Sequence, residues 1–444
     1  MRHEPTPRHS IAPLDLSFYH LDSRSTPQSI AAFLVLDGMP DVEEIRNRFR
    51  AAASIFPRLH ERLIVSAGRW YPRAYWERAD DIDLGDLVLF EANPGLTNIS
   101  DLAAPAGMYF SRPLDLSRPL WRFHLFGSSD GRGPVGALFI GHHTMTDGFG
   151  GLEILRTVTD GSGDVSIAAQ LPRRSEPNAQ LRNRRRVTVG KVIRELIEPP
   201  IASALNGENS PSRELHVRHF PFPELLAMRA HYGVSINDVY LGLVSSALER
   251  YSRDVAEQMP AEPRIIIPVN LRSAADADRL GNLLTGVTIR LPASGETLPD
   301  RLLLVHERTT TMKRSGIARG YALIARMNAR LPAFLQRPFC RAFARRTSCI
   351  CTNLPNSSSP RKLAGVEIRS TFAAAALMEG HGLAFSLVTY NENAHVAVVV
   401  DPGIVRDGPR LLDHFIKAKD ELLATLPISD HALLSTDGQR NPSC

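Results

Sequence analysis

The stretch "VGALFIGHHTMTDGFGG", residues 135–151, constrains the fold more than any other. Its first seven residues are a continuous apolar run bounded by glycines, the pattern of a central β-strand. His142 and His143 follow where that strand ends, then Asp147, then glycines at 148, 150 and 151. A strand-to-turn junction exposes side chains at a sheet edge or domain boundary, and a glycine-rich exit lets a substrate approach the backbone closely. Adjacent residues of an extended segment point to opposite sides. His142 and His143 therefore do not serve one substrate together: one faces a cleft and the other packs and orients it. A neutral imidazole, with an unperturbed pKa of about 6.5, takes a proton from an attacking hydroxyl or amine near pH 7. Adjacent histidines on a strand end are poor geometry for a metal, which favours i,i+4 spacing and a third ligand, so no metal is expected. A purely structural histidine pair is the ordinary alternative. Asp147-Gly148 and the exposed junction favour a functional pair.

A chain of 444 residues exceeds one ordinary core and suits two medium domains. Its hydrophobic share of 43% and charged share of 22% are those of a globular protein. The longest apolar runs, "IIIPV" and "VAVVV", are strand-sized and far short of a spanning helix. The first twenty residues have no signal-type apolar segment, so a cytoplasmic location is expected. The cysteines, Cys340, Cys349, Cys351 and Cys444, form no CxxC pair and suggest neither zinc nor disulfides. Cys349 and Cys351 should share one strand face, as packing. Net charge is +5 and uneven: "RNRRR" at 182–186 is a dense block, and residues 325–346 interleave arginine with Leu and Phe. Solvated arginines explain both. Attraction for an acidic carrier protein or a peripheral membrane contact are the sharper readings. No aromatic-interleaved groove accompanies the charge, so nucleic acid is not an expected partner.

Strands are expected at 30–36, 121–127, 135–141, 264–272 and 284–292, with a hairpin over 382–401 turning at "NEN". Helices are expected from 41 to Pro57 and over "FPELLAMRAHYG" and "SINDVYLGLVSSALERYSRD", the last capped by Ser235 with Asp238. Residues 157–190 are polar, basic and weakly periodic, as an interdomain connection would be. Strands and helices mix on both sides of it. The expected division is 1–170 as an N-terminal half carrying the histidines, 171–213 as a basic connection, and 214–444 as a C-terminal half.

"HHTMTDG" is the HHxxxDG signature of the coenzyme A-dependent acyltransferase and condensation-domain superfamily. Further segments, in order along nearly the whole chain, resemble its wax ester synthase/diacylglycerol acyltransferase branch. These are "PLDLSFYHLDS" at 13–23, "FPRLHERL" at 56–63, "RPLDLSRPLWRFHLF" at 112–126 and "NDVYLGLVSSAL" at 237–248. "IPVNLR", "LGNLLTGVTIRLP" with its Gly281-Asn282 step, and "TNLPNSSSPRKLAGVEI" at 352–368 complete the series. The DFGWG motif of plant-type acyltransferases is absent.

The resemblance implies an α/β fold of two chloramphenicol-acetyltransferase-like domains with a tunnel and active site at their interface. It makes His143 the general base in the tunnel, with His142 facing away, Asp147 holding the loop through an arginine such as Arg272, and Gly148 beside the substrate path. Asn353, Thr352 or a backbone N–H near Gly148 would stabilise the oxyanion. Asn237, Asp238 and Trp121 are further candidates for substrate contact, although capping and packing also explain them. The donor is expected to be acyl-CoA or an acyl carrier protein and the acceptor an alcohol, with no tightly bound cofactor and no covalent acyl-enzyme. Two other readings remain at this point: a natural-product or condensation-type enzyme using a carrier-protein thioester with an alcohol or amine, and a non-catalytic binding protein on this fold.

Overall fold

The computed structural model describes residues 8–66, 73–93, 96, 98–128, 133–160, 190–200, 203–255, 262–272, 280–292 and 295–427. "RNRRR" and most of the expected connection lie outside the described residues. Two six-stranded sheets dominate the described chain. The first runs in the order β12 (Lys362–Leu363), β13 (Val366–Ala374), β2 (Ser29–Leu36), β7 (Val135–His142), β6 (Trp121–Gly127), β5 (Val88–Ala92). The second runs β10 (Leu284–Arg290), β9 (Arg264–Asn270), β11 (Cys349–Pro355), β14 (Leu383–Tyr390), β15 (Asn393–Val400), β8 (Glu214–Pro221). A small sheet of β1 (Arg8–Ser10), β4 (Ala74–Arg78) and β3 (Glu61–Val65) flanks the first.

β7 is buried at every position, and the alternation of its side chains explains the layers. Ala137 and Phe139 point into a core shared with α2 (Val42–Ile55) and α4 (Gly148–Val158). Leu138 and Ile140 point the other way, toward Val217, Ala384, Ala397 and Val399 of the second sheet. The two sheets thus share an inner apolar layer, and each is covered on its outer face by helices. The second sheet's outer cover includes α7 (Ile236–Val255) and α11 (Gly408–Ala424). Its edge toward the first half is closed by α3 (Ile99–Ser111), which packs on β8.

The sheets do not divide the chain at one place. β13 lies antiparallel to β2, with Phe372 opposite Phe33, so the 214–444 segment supplies two strands of the first sheet. Without them β2 would present an open edge, a ready template for pairing with another chain. The 383–400 hairpin turns through Asn391 and Glu392, both with positive φ, as a two-residue primed turn requires. At the start of α7, Ser235 and Asp238 exchange hydrogen bonds at 2.9 and 3.2 Å, the expected capping box. Two further helices, α9 (Ile317–Asn328) and α10 (Ala333–Ala344), form a hairpin after α8 (Leu298–Ser315). Residues 190–197 form a separate short helix, α5, and Phe222–Tyr232 forms α6. Among the described residues no helix is long and apolar enough to cross a membrane.

Candidate active site

The turn after β7 is tight and fully committed. His142 N–H donates to Leu120 O at 2.9 Å, His143 N–H to Gln28 O at 2.7 Å, and Met145 N–H back to His142 O at 2.8 Å. Asp147 then caps α4 by accepting from Gly150 N–H at 3.1 Å. The glycines after Asp147 therefore form the first turn of a helix rather than an open loop. Their role is clearance: a Cβ on Gly150 would sit 2.2 Å from Thr146 Oγ1, and one on Gly148 would be 3.3 Å from Leu354 Cδ1.

The two histidines do point apart. His142 is buried, its Nδ1 accepting from Thr144 N–H at 3.1 Å and its Nε2 turned toward Asp22 Oδ1 at 3.4 Å. His143 faces a cavity and stacks on Phe18, ring centroids 4.1 Å apart and 5° from parallel. Its Nδ1 lies 2.7 Å from Asn282 Oδ1. The amide orientation follows from its other contacts: Asn282 Nδ2 donates to Asp15 Oδ1 at 2.9 Å and to the His143 carbonyl. With the NH2 committed to two acceptors, Oδ1 is left to accept, so the proton of neutral His143 sits on Nδ1. The lone pair is on Nε2. Burial pushes the His143 pKa below its ordinary value, opposed by the Asp147 charge and the Asn282 hydrogen bond. Neutral imidazole, the form able to accept a proton, is favoured near pH 7.

Asp147 is fully buried and pairs with Arg272. Its Oδ2 also accepts from Leu283 N–H at 3.1 Å, while Arg272 Nη2 donates to Gly281 O at 2.9 Å. Asp15 grips the same step from the other side, accepting from Asn282 N–H at 2.8 Å. Burial raises the Asp15 carboxyl above its usual range, against the lowering by the Asn282 donors. Gly281 has φ +104°, and a Cβ there would meet Asp15 Oδ2 at 3.0 Å, so both backbone and space demand glycine. Asp15, Gly281 and Asn282 were quoted in the sequence segments without a role at the base. The signal was their place beside a histidine that lies more than a hundred residues away in sequence, which only folding reveals.

The cavity, about 320 Å³, lies between the two sheets and is lined mainly by apolar side chains. β2, β7 and β13 form one wall; β9, β10 and β11 form the other; α1 (Pro13–Leu21), α4, α9 and α10 close its sides. His143, Gly148, Thr352 and Asn353 all line it. Cys349 and Cys351 point to the opposite face of β11, buried in the outer core with sulfurs 3.9 Å apart. Trp121, Asn237 and Asp238 do not line this cavity. Trp121 is buried in the outer core, where its Nε1 donates to Leu59 O at 2.8 Å and its ring stacks on Phe49. Asp238, besides capping α7, accepts from His306 Nδ1 at 2.8 Å and Thr309 Oγ1 at 2.6 Å and so ties α7 to α8. Among the described residues no group of three His, Cys, Asp or Glu side chains is placed to hold a metal ion.

A half-buried histidine of the HHxxxDG signature at a strand end, inside a cavity between two linked sheets, is the setting expected of a two-domain HHxxxDG acyltransferase. The sequence model of the wax ester synthase/diacylglycerol acyltransferase catalytic domain matches residues 11–200, and that of the family's C-terminal domain matches 280–422. The chain belongs to the wax ester synthase/diacylglycerol acyltransferase family. It is 25% identical over 442 residues to a probable diacylglycerol O-acyltransferase of Mycobacterium tuberculosis, covering 90% of this chain and 93% of the relative. Among solved structures, the wax ester synthase/diacylglycerol acyltransferase from Marinobacter aquaeolei VT8 superposes with a TM-score of 0.69 at 17% identity, covering 93% of this chain and 98% of that one. The starter condensation domain of rhizomide synthetase, a mutant in complex with C8-CoA, gives a TM-score of 0.59 at 14% identity over 94% and 95% of the two chains.

Proposed function

We propose that this acyltransferase moves an acyl group from a coenzyme A thioester to a hydroxyl acceptor, with His143 as general base. The observation that carries the reading is the commitment of His143 Nδ1–H to Asn282, which leaves Nε2 unprotonated on the cavity side. An alcohol is far too weak an acid for imidazole to deprotonate outright. His143 Nε2 therefore takes the proton as the oxygen attacks the thioester carbonyl. The C–O bond forms, the carbonyl oxygen becomes an oxyanion, and collapse breaks the C–S bond; the departing thiolate takes the proton back from the imidazolium. Thr352 and Asn353, on β11, and the backbone N–H groups at the start of α4 are the candidate donors to the oxyanion. Asp147 and Arg272 hold the turn and touch neither substrate. The apolar lining suits a hydrocarbon acyl chain and excludes water, which would otherwise compete as acceptor.

The test is thiol release from acyl-CoAs of several chain lengths with a panel of alcohols, for wild type and His143→Ala. Release that requires an acceptor and falls by about 10²- to 10⁴-fold in the variant is expected. Silence with every CoA thioester, followed by turnover of a carrier-protein thioester, would replace the donor. Silence with both would overturn the reading.

A further inference from the structure

Resting on that reading, the structure points to a docking surface that feeds the cavity. We propose that the α9–α10 hairpin lies on an anionic lipid surface and draws its acyl substrates from there.

Each helix has two differently used faces. Inward, Tyr321, Ile324, Phe339 and Phe343 line the cavity. Outward, α9 exposes Arg319, Leu323, Arg326 and Met327, a single stripe at three- and four-residue spacing, and Arg330 follows in the turn beyond it. Large apolar side chains gather beside the connection between the helices: Leu323 is 45% exposed, Met327 60%, Leu331 38%, Phe334 56% and Leu335 43%. Scattered exposed apolar residues are ordinary, but five around one hairpin tip form a patch. Residues 317–346 hold arginine at 319, 326, 330, 337, 341, 345 and 346 and no Asp or Glu. Arg337 and Arg341 pair with Glu379. Among the described residues no ion pair engages Arg319, Arg326, Arg330 or Arg345.

An apolar tip ringed by unpaired guanidinium groups matches the boundary between acyl chains and anionic headgroups, where arginine stems lie in the apolar layer and their charges reach the phosphates. Charge alone would equally suit an acidic carrier protein. The apolar tip and the cavity wall on the same two helices favour the lipid surface, because the hairpin that would touch the acyl chains is the one that lines the cavity.

The full chain would be sedimented with phosphatidylcholine vesicles with and without phosphatidylglycerol. Wild type would be compared with Arg326→Gln/Arg330→Gln and with Leu323→Ser/Met327→Ser/Leu335→Ser. Preference for the anionic vesicles is expected, weakened about 25-fold in the arginine variant at about fivefold per charge, and at least about tenfold in the apolar variant. Thiol release from a short acyl-CoA and a water-soluble alcohol should be unchanged in both, since none of the five residues lines the cavity. Equal binding to both vesicle types, or variants that bind as wild type does, would overturn the docking proposal. So would saturable binding of an acidic carrier protein that the arginine variant loses while vesicles are ignored. Absence of wild-type turnover with CoA and carrier-protein thioesters alike would overturn the acyl-transfer reading instead, and the vesicle measurement would still judge the docking surface by itself.

Discussion

In the proposed mechanism Asp15 acts two contacts removed from the chemistry: it holds the Asn282 amide in the orientation that gives His143 a protonated Nδ1. Replacing it with Asn supplies an NH2 group of its own and removes the reason for Asn282 to keep its oxygen toward the histidine. Asp15→Asn should lower kcat roughly 10- to 100-fold, the size typical of a partner that orients a reactive histidine, with KM little changed. Steady-state kinetics on the folded variant checks this, and an unchanged kcat would remove Asp15 from the base. Because burial holds the His143 pKa below 6.5, wild-type kcat/KM should stay level down through that pH and decline only beneath it, as the imidazole protonates.

At the scale of elements, the joint between α3 and β8 sets two effects against each other. Gly107 lies inside α3, where alanine would favour the helix by about 1 kcal/mol. A Cβ there would lie 2.8 Å from Leu215 N and 3.1 Å from Arg213 O, both backbone atoms of the strand side that cannot rotate away. The clash should win: Gly107→Ala is expected to destabilise by about 1–3 kcal/mol, measured as a lower midpoint in urea with unchanged slope. A stabilised variant would mean that helix and strand separate readily. Gly148 and Gly150 of α4 also leave clearance, but for side chains, those of Leu354 and Thr146, which is why their abundance after Asp147 was readable in sequence but their role was not.

For the molecule as a whole, buried neutral histidines govern acid stability. Burial, with His219 nearby, pushes His395 down to about 3, and burial pushes His381 down to about 4. Both folded values lie below the unfolded one, so the unfolded chain binds more protons and stability falls as pH drops from about 6.5 toward those values. His395 alone should cost about 2 kcal/mol between pH 7 and pH 5. Among the described residues no side chain hydrogen-bonds its ring, and Phe372 meets it edge to face at 5.1 Å. His395→Phe should therefore flatten the pH dependence by that amount in urea titrations at the two pH values. An unchanged slope would place the acid sensitivity elsewhere.

Much of this protein was legible in its sequence because its signals are local. β7 is buried on both faces and so reads as one apolar run; Ser235–Asp238 and Asp147 cap helices within three residues; the turn at 391–392 is marked by Asn391, a residue tolerant of positive φ. The HHxxxDG signature and the segments around it identified the family for the same reason. What the sequence left open depends on contacts between distant residues. Sequence offered both contact and packing for Trp121 and Asp238, and only the fold shows Trp121 stacked on Phe49 and Asp238 bound to His306 and Thr309. Asn282 and Asp15 come beside His143 only because Gly281, clamped between Arg272 and Asp15, brings them there. β13 crossed into the first sheet because an open β2 edge needed a partner. Local patterns determine elements through backbone geometry and burial. Tertiary structure alone decides which side chain meets which, because that depends on how those elements are packed.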